Sequence, residues 1–286
     1  MAYMLFNNDI MERSNCVDVE DRGYQFGDGI YEVIGVYSGQ SMLMDEHLER
    51  LERSANEIQL NLPYTMPELK RQLIRLAQLN QLEEGIIYLQ VSRGAGPRWH
   101  EFPKDTVPAV TVAYTREEKR MTNVEDNGGT AVLTEDIRWL RCDIKSLNLL
   151  PNVLAKQKAV EKNAVEAILH RDKIVTEASA SNVFIVKNDT IYTHPANNYI
   201  LNGITRQKVL ELCHELELPF HEDTFTIEQL LNADEVFVTA TKSDIIPILK
   251  IDDHLIGHGK PGDITHYLLK HFRKFINQVE NNLDPS

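Results

Sequence analysis

The sequence predicts a mixed α and β fold, of the α+β class, in two lobes. Short runs with strand-like alternation or β-branched enrichment are interleaved along the chain with longer stretches that carry apolar residues at helical spacing. One polar run, Arg116 to Gly129, ends in a glycine pair and interrupts this pattern, which resumes beyond it. The chain has 286 residues, 42% of them hydrophobic, enough to fill two cores of ordinary size. The expected division is an N-terminal domain at 1–118, a linker at 119–122 and a larger C-terminal domain at 123–286.

In order, Tyr3 to Phe6 and Val17 to Val19 are compatible with short strands separated by turns. Asp21 to Gly29 holds three glycines within seven residues and leads into the alternating strand Ile30-Tyr31-Glu32-Val33-Ile34. Tyr31 is either a strand aromatic or a ligand contact. Asp45 can cap a helix with the apolar stripe Leu48, Leu51, Ala55, Ile58; Arg50 falls off that stripe, so it suits a surface ion pair or a phosphate. A second helix runs from Pro67 to about Leu82. The strand Ile86 to Arg93 delivers the chain into Gly94-Ala-Gly-Pro-Arg98-Trp99-His100, where Arg98 has the planar fork that suits a carboxylate, although a solvated Arg-x-His has the same sequence. Ala109 to Tyr114 is a further strand.

Past the polar run lies Ile144-Lys145-Ser146-Leu147-Asn148-Leu149-Leu150. Lys145 stands among apolar positions, and desolvation together with cationic neighbours such as Arg138 or Arg141 favours the free amine that attacks carbonyls. A lysine extending from a strand edge is the plainer alternative. A helix follows from about Pro151 to Lys162, then strands at Glu166 to His170, Val183 to Lys187 and Thr190 to Thr193. Glu177 to Asn182 places an acid and small hydroxyl residues in a strand-to-strand turn. Leu201-Asn-Gly-Ile204-Thr205-Arg opens a helix whose first N–H groups suit an anion. Glu235 to Thr241 is a strand ending in hydroxyls, and Gly257 to Gly262 a turn before the last helix.

A formal charge of −13 speaks against a general nucleic-acid or anionic-membrane surface. Small molecules are the expected partners. The start of the chain lacks a signal-like pattern and no segment approaches a membrane span, so a cytoplasmic protein is expected. Three scattered cysteines and ten histidines without ligand spacing suggest neither a disulfide framework nor a metal site.

An amine, an acid, an arginine, a phosphate-ready helix end and a carboxylate-ready loop form the set that pyridoxal 5′-phosphate requires. The motif order, from Asp21-Arg-Gly-Tyr-Gln-Phe-Gly-Asp-Gly-Ile-Tyr-Glu through Ile144-Lys-Ser-Leu-Asn-Leu-Leu to Thr176-Glu-Ala-Ser-Ala-Ser-Asn and Leu201-Asn-Gly-Ile-Thr-Arg, closely resembles the fold-type IV pyridoxal-phosphate enzymes. Within them it looks most like the bacterial D-amino acid aminotransferases. The resemblance implies an α/β domain on either side of the cofactor and a homodimer with shared active sites. It implies Lys145 as the Schiff-base lysine and Glu177 on the pyridine nitrogen. Arg50, the Ile204 and Thr205 amides and Thr241 would hold the phosphate, and Leu201 would pack on the ring. Tyr31, Arg98 and His100 would receive the substrate carboxylate, the last two from the partner subunit, with Arg138 a neighbour of Lys145. Ala180 departs from the usual serine, so that hydroxyl is missing or replaced by Ser179 or Ser181; Pro151 replaces an expected glycine. The substrates implied are D-amino acids and 2-oxo acids. An aminodeoxychorismate lyase or a branched-chain L-aminotransferase shares the scaffold, and the Arg98-Trp-His100 loop argues against both.

Overall fold

The computed structural model describes residues 2–104 and 107–281. These residues form two compact units, and the division is not linear. One comprises the chain up to Arg120 together with Ile144–Asn148, the other Met121–Asp143 and Leu149–Gln278. The Lys145 segment, which the linear division assigns to the second domain, therefore belongs to the first unit.

In the first unit, β1 (Tyr3–Phe6), β2 (Asp9–Glu12), α1 (Arg22–Phe26), β3 (Gly29–Tyr37), β4 (Gln40–Ser41), α2 (Met44–Glu57), α3 (Met66–Leu79), β5 (Gly85–Ser92) and β6 (Val110–Glu117) follow one another. The strands form an antiparallel sheet in the order β2-β1-β6-β5-β3-β4. Leu48 and Leu51 of α2 and Leu69, Leu73 and Leu76 of α3 pack with Ile30, Ile34, Leu89 and Ala113 of the sheet, which is why both helices show a single apolar stripe. α3 starts with a reciprocal box: Thr65 Oγ1 accepts from Glu68 N–H, and the Glu68 carboxylate accepts from Thr65 N–H.

Several local expectations are corrected. Val17 and Val19 are exposed and lie in no strand; β1 pairs instead with Asp9–Glu12. The glycine-rich stretch contains the five-residue α1, ended by Gly27 at φ 69°. Asp45 does not cap α2: the helix starts after Leu43, itself left-handed at φ 51°, and no side chain caps it.

The second unit holds α4 (Thr122–Asn127), β7 (Gly129–Glu135), α5 (Leu150–Glu161), β8 (Glu166–Arg171), β9 (Ile174–Ala178), β10 (Asn182–Lys187), β11 (Thr190–Thr193), α6 (Ile204–Glu215), β12 (Phe220–Glu222), α7 (Ile227–Leu231), β13 (Glu235–Ala240), β14 (Asp244–Ile251), β15 (His254–Leu255) and α8 (Asp263–Asn281). The main sheet runs β12-β11-β10-β13-β14-β7-β8-β9, with β15 on β14; the β11–β12, β14–β7 and β7–β8 pairs are parallel. Val183, Ile185, Val236, Val238, Ile246 and Ile248 build its core. Pro151 sits in the first turn of α5, where its missing N–H costs no helical bond. Among the described residues no helix is long and apolar enough to cross a membrane.

Candidate active site

In the first unit the strand β3 alternates as its sequence suggests, but one of its core-facing side chains is an acid. Glu32 is wholly buried between the core positions Ile30 and Ile34. Its Oε1 accepts from Arg50 Nε at 2.8 Å, its Oε2 from Arg50 Nη2 at 2.9 Å, and His47 Nδ1 lies 2.7 Å from Oε2. Arg50 is thus in a buried pair rather than a surface one. Burial alone would raise the Glu32 carboxyl, but the Arg50 charge and the hydrogen bonds from Arg50 and His47 outweigh it and hold the group well below the usual carboxylate range. Burial lowers the His47 imidazole against the pull of Glu32, with the Arg50 and Lys145 charges pushing the same way as burial. A neutral His47 donates from Nδ1 to the carboxylate.

His47, Arg50 and Ser54 are all buried at helical spacing beside the apolar stripe of α2, a polar stripe that the search for apolar periodicity passes over. Ser54 takes part in holding the Lys145 strap: its Oγ lies 3.4 Å from Lys145 N. The strap covers the edge of β3, with Tyr31 N–H donating to Lys145 O at 3.0 Å and Leu147 N–H to Gly29 O at 3.0 Å. The Lys145 amine stands 4.3 Å from the centre of the Tyr31 ring. An aromatic face thus stands beside the amine, a contact that the sequence does not show. Arg98, Trp99 and His100 are exposed and, with Glu101, line an open concavity.

In the second unit Glu177 stands at the end of β9 rather than in the turn after it. Its Oε1 accepts from Arg138 Nη1, and its Oε2 accepts from Asn182 Nδ2 at 3.0 Å and Leu201 N–H at 3.1 Å. Arg138 divides its donors: Nε and Nη2 go to Asp136 at 2.9 and 2.8 Å, and Asp136 also receives Thr176 Oγ1 at 2.9 Å. Burial raises the Glu177 carboxyl, opposed by the Arg138 charge and by hydrogen bonds from Arg138 and Leu201, and the net direction is up. Arg138 is no unpaired cation, and Arg141 pairs with Asp143 at 3.0 Å.

Asn182 also donates to Leu201 O at 2.8 Å, fastening the chain before α6 to the acid. A Cβ on Gly203, the N-cap of α6, would stand 2.2 Å from Asn182 Oδ1, so a side chain here would displace the amide that bonds Glu177 and Leu201. No side chain caps α6, whose first residues Ile204 and Thr205 are buried. Arg206 anchors the helix from within, donating to His194 O at 2.8 Å and to Glu222 at 2.5 Å. Ser179 Oγ donates to Glu166 Oε1, and Ser181 Oγ to Glu166 Oε2 at 2.8 Å. Each hydroxyl spends its one proton on Glu166, so neither stands in as donor for a serine at Ala180. Thr241 lies just beyond β13, and Thr239 Oγ1, two residues earlier, is buried without a hydrogen-bond partner.

Each unit by itself carries groups of the kind pyridoxal 5′-phosphate requires: the first an amine, Lys145, and the second a buried carboxylate with raised proton affinity and a helix start without a side-chain cap. Sequence reasoning missed Glu32, His47, Asp136, Asn182 and Glu166. The signals available were a charge at a core-facing strand position and the polar stripe of α2.

Residues 29–251 match the family model described as Amino-transferase class IV. The chain is 53% identical over 263 residues to a D-alanine aminotransferase of Bacillus licheniformis, covering 92% of this chain and 93% of that one. It is 49% identical over 277 residues to a D-alanine aminotransferase of Staphylococcus aureus, covering 96% and 98%. In fold it is similar to the branched-chain amino acid aminotransferase of Escherichia coli, with a TM-score of 0.92 at 22% identity over 99% of this chain and 97% of that one. The match over most of the chain, together with a lysine strap, a buried acid and an uncapped helix start, means that this protein belongs to the class IV aminotransferases, which work with pyridoxal 5′-phosphate.

Proposed function

We propose that the protein moves amino groups between D-amino acids and 2-oxo acids, converting D-alanine and 2-oxoglutarate to pyruvate and D-glutamate. Identity near one half with curated D-alanine aminotransferases along nearly the whole chain carries this reading. When bound, pyridoxal phosphate supplies the electron sink that makes the substrate α-hydrogen acidic. Lys145 Nζ would take that proton from the α-carbon and pass it to C4′ of the cofactor, and would carry a proton the opposite way in the reverse half-reaction. Glu177 accepts the pyridine N–H, for which a carboxylate of raised proton affinity is suited, and Arg138 keeps it in place. Arg50, the Ile204 and Thr205 N–H groups and Thr241 hold the phosphate, while Leu201 lies against the ring. Ser179 and Ser181 act through Glu166 by fixing the turn after Glu177.

Tyr31, Arg98 and His100 receive the substrate carboxylate, the latter two reaching across a homodimer. Handedness follows from that grip. The bond broken at the α-carbon must stand perpendicular to the ring, and a carboxylate held on one side turns the hydrogen of only one enantiomer toward Lys145. Pyruvate formation from D-alanine and from L-alanine, each with 2-oxoglutarate, tests the reading. D-alanine is expected to be turned over and L-alanine not; a preference for L-alanine overturns it.

A further inference from the structure

The clamp loop is long, exposed and rich in glycine, yet its two functional side chains converge on one ring. Phe26, the last residue of α1, has the Arg98 guanidinium 4.9 Å from its centre and the His100 ring edge-on at 5.8 Å and 67°. Arg22, four residues earlier on the same helix, stands 4.8 Å from the same ring and donates from Nη1 to the carbonyl of Trp99 at 2.7 Å. One side of a five-residue helix therefore touches the side chains of Arg98 and His100 and the main chain between them.

This helix is itself firmly held. Asp21 caps it through Gly23 N–H at 2.8 Å and receives Ser92 Oγ at 2.7 Å, which ties the cap to β5. Arg22 is buried, and its Nε donates to Asp28 at 2.8 Å; Asp28 also receives Arg93 Nε at 2.9 Å, while Arg93 donates onward to the carbonyls of Ile58 and Gln59. Arg22 N–H donates to Gly94 O at 2.9 Å, fixing where the loop begins.

We propose that α1 is the positioning platform of the carboxylate clamp: Arg22 sets the loop backbone and Phe26 aligns Arg98 with His100. The proposal rests on the clamp role given to Arg98 and His100 above. An arginine stacked on an aromatic face keeps its planar edge available for a carboxylate and gives up less rotamer freedom on binding. Phe26 acts in this proposal through Arg98 and His100, so its loss is expected to change affinity for the carboxylate and not the proton transfer at Lys145.

The test uses the cofactor-loaded enzyme, with KM and kcat for D-alanine and the dissociation constant of propionate, D-alanine without its amino group, measured by calorimetry. Phe26→Leu keeps apolar bulk and removes the ring. It is expected to raise KM and the propionate dissociation constant together by about 3- to 10-fold, with kcat within about 2-fold. Phe26→Tyr keeps the ring and is expected to restore both. Arg22→Lys retains charge but cannot reach Asp28 and the Trp99 carbonyl at once, and is expected to move the same two constants. Phe26→Leu binding propionate as the wild type does, while Arg98→Met binds it weakly, overturns the platform and leaves the clamp standing. Arg98→Met binding propionate normally overturns the clamp itself, and the platform with it.

Discussion

Glu32 and Glu177 are both buried and both face an arginine, yet their proton affinities are displaced in opposite directions. Glu32 takes Arg50 Nε and Nη2 on its two oxygens and a hydrogen bond from His47 besides. Glu177 takes one guanidinium N–H from an arginine whose other contacts go to Asp136 and to the Tyr199 carbonyl, and otherwise neutral amides. The difference teaches that a buried carboxylate is set by how much charged donation reaches it. One gripped on both oxygens by a guanidinium is held anionic; one that receives a single guanidinium N–H has room for a further N–H, the part proposed for Glu177 at the pyridine nitrogen.

Breaking the singly bonded pair at Glu177 should have the largest effect on chemistry. Glu177→Lys places a cation beside Arg138 and removes the ring-nitrogen partner, so transamination is expected to fall about 10²- to 10³-fold while cofactor remains bound. Single-turnover rates with D-alanine and the visible absorbance of the bound cofactor check both halves; unchanged turnover would reduce Glu177 to a plain strand residue.

The doubly bonded pair at Glu32 should fail in stability instead. Glu32→Gln leaves Arg50 without its buried counter-charge, with an expected loss of about 3–5 kcal/mol in urea unfolding. On the proposal that Arg50 holds the phosphate, affinity for pyridoxal phosphate should fall about 10-fold while affinity for pyridoxal, which has no phosphate, should not. Equal losses for both ligands would separate Glu32 from phosphate binding.

The comparison also has a sign in pH. With Glu32 depressed, the unfolded chain binds more protons than the native one below the ordinary carboxylate range, so stability falls as the solution becomes more acid. For Glu177, raised in the native state, the native protein binds the extra proton just above that range, and stability falls as pH increases through the window. Each full proton is a slope of about 1.4 kcal/mol per pH unit. Unfolding midpoints of the cofactor-free protein from pH 3.5 to 8 should show the acid-side slope reduced in Glu32→Gln, with Asp136, likewise depressed by Arg138 and Arg171, keeping its own share, and the opposite slope reduced in Glu177→Gln. Slopes unchanged from the wild type in both variants would refute the contrast.

The smallest effect is expected at a third buried acid, Glu166, which is held by hydroxyls. Ser179→Ala removes one neutral donor and should cost about 1–2 kcal/mol, with turnover within about 2-fold. A larger loss of activity would give Ser179 a direct part in the site.

Much of this molecule was legible in its sequence because periodicity and local chemistry report on short range. The apolar stripe of α2, the helix from Pro67, the strands β3, β5 and β10 and the glycine before α6 all follow from neighbouring residues. The residue types of the cofactor set, Lys145 and Glu177 among them, were likewise on view. Tertiary structure alone decided the pairings. Glu32 finds Arg50 18 residues later and Glu177 finds Arg138 39 residues earlier, and neither separation has a period to detect. It also returned the Lys145 strap to the first unit, because an unpaired strand edge at Gly29 to Tyr31 must be satisfied and residues 145–147 supply the hydrogen bonds. Sequence determines which groups are present and which way each element faces; which carboxylate owns its arginine depends on the burial of both, and burial exists only once the chain has packed.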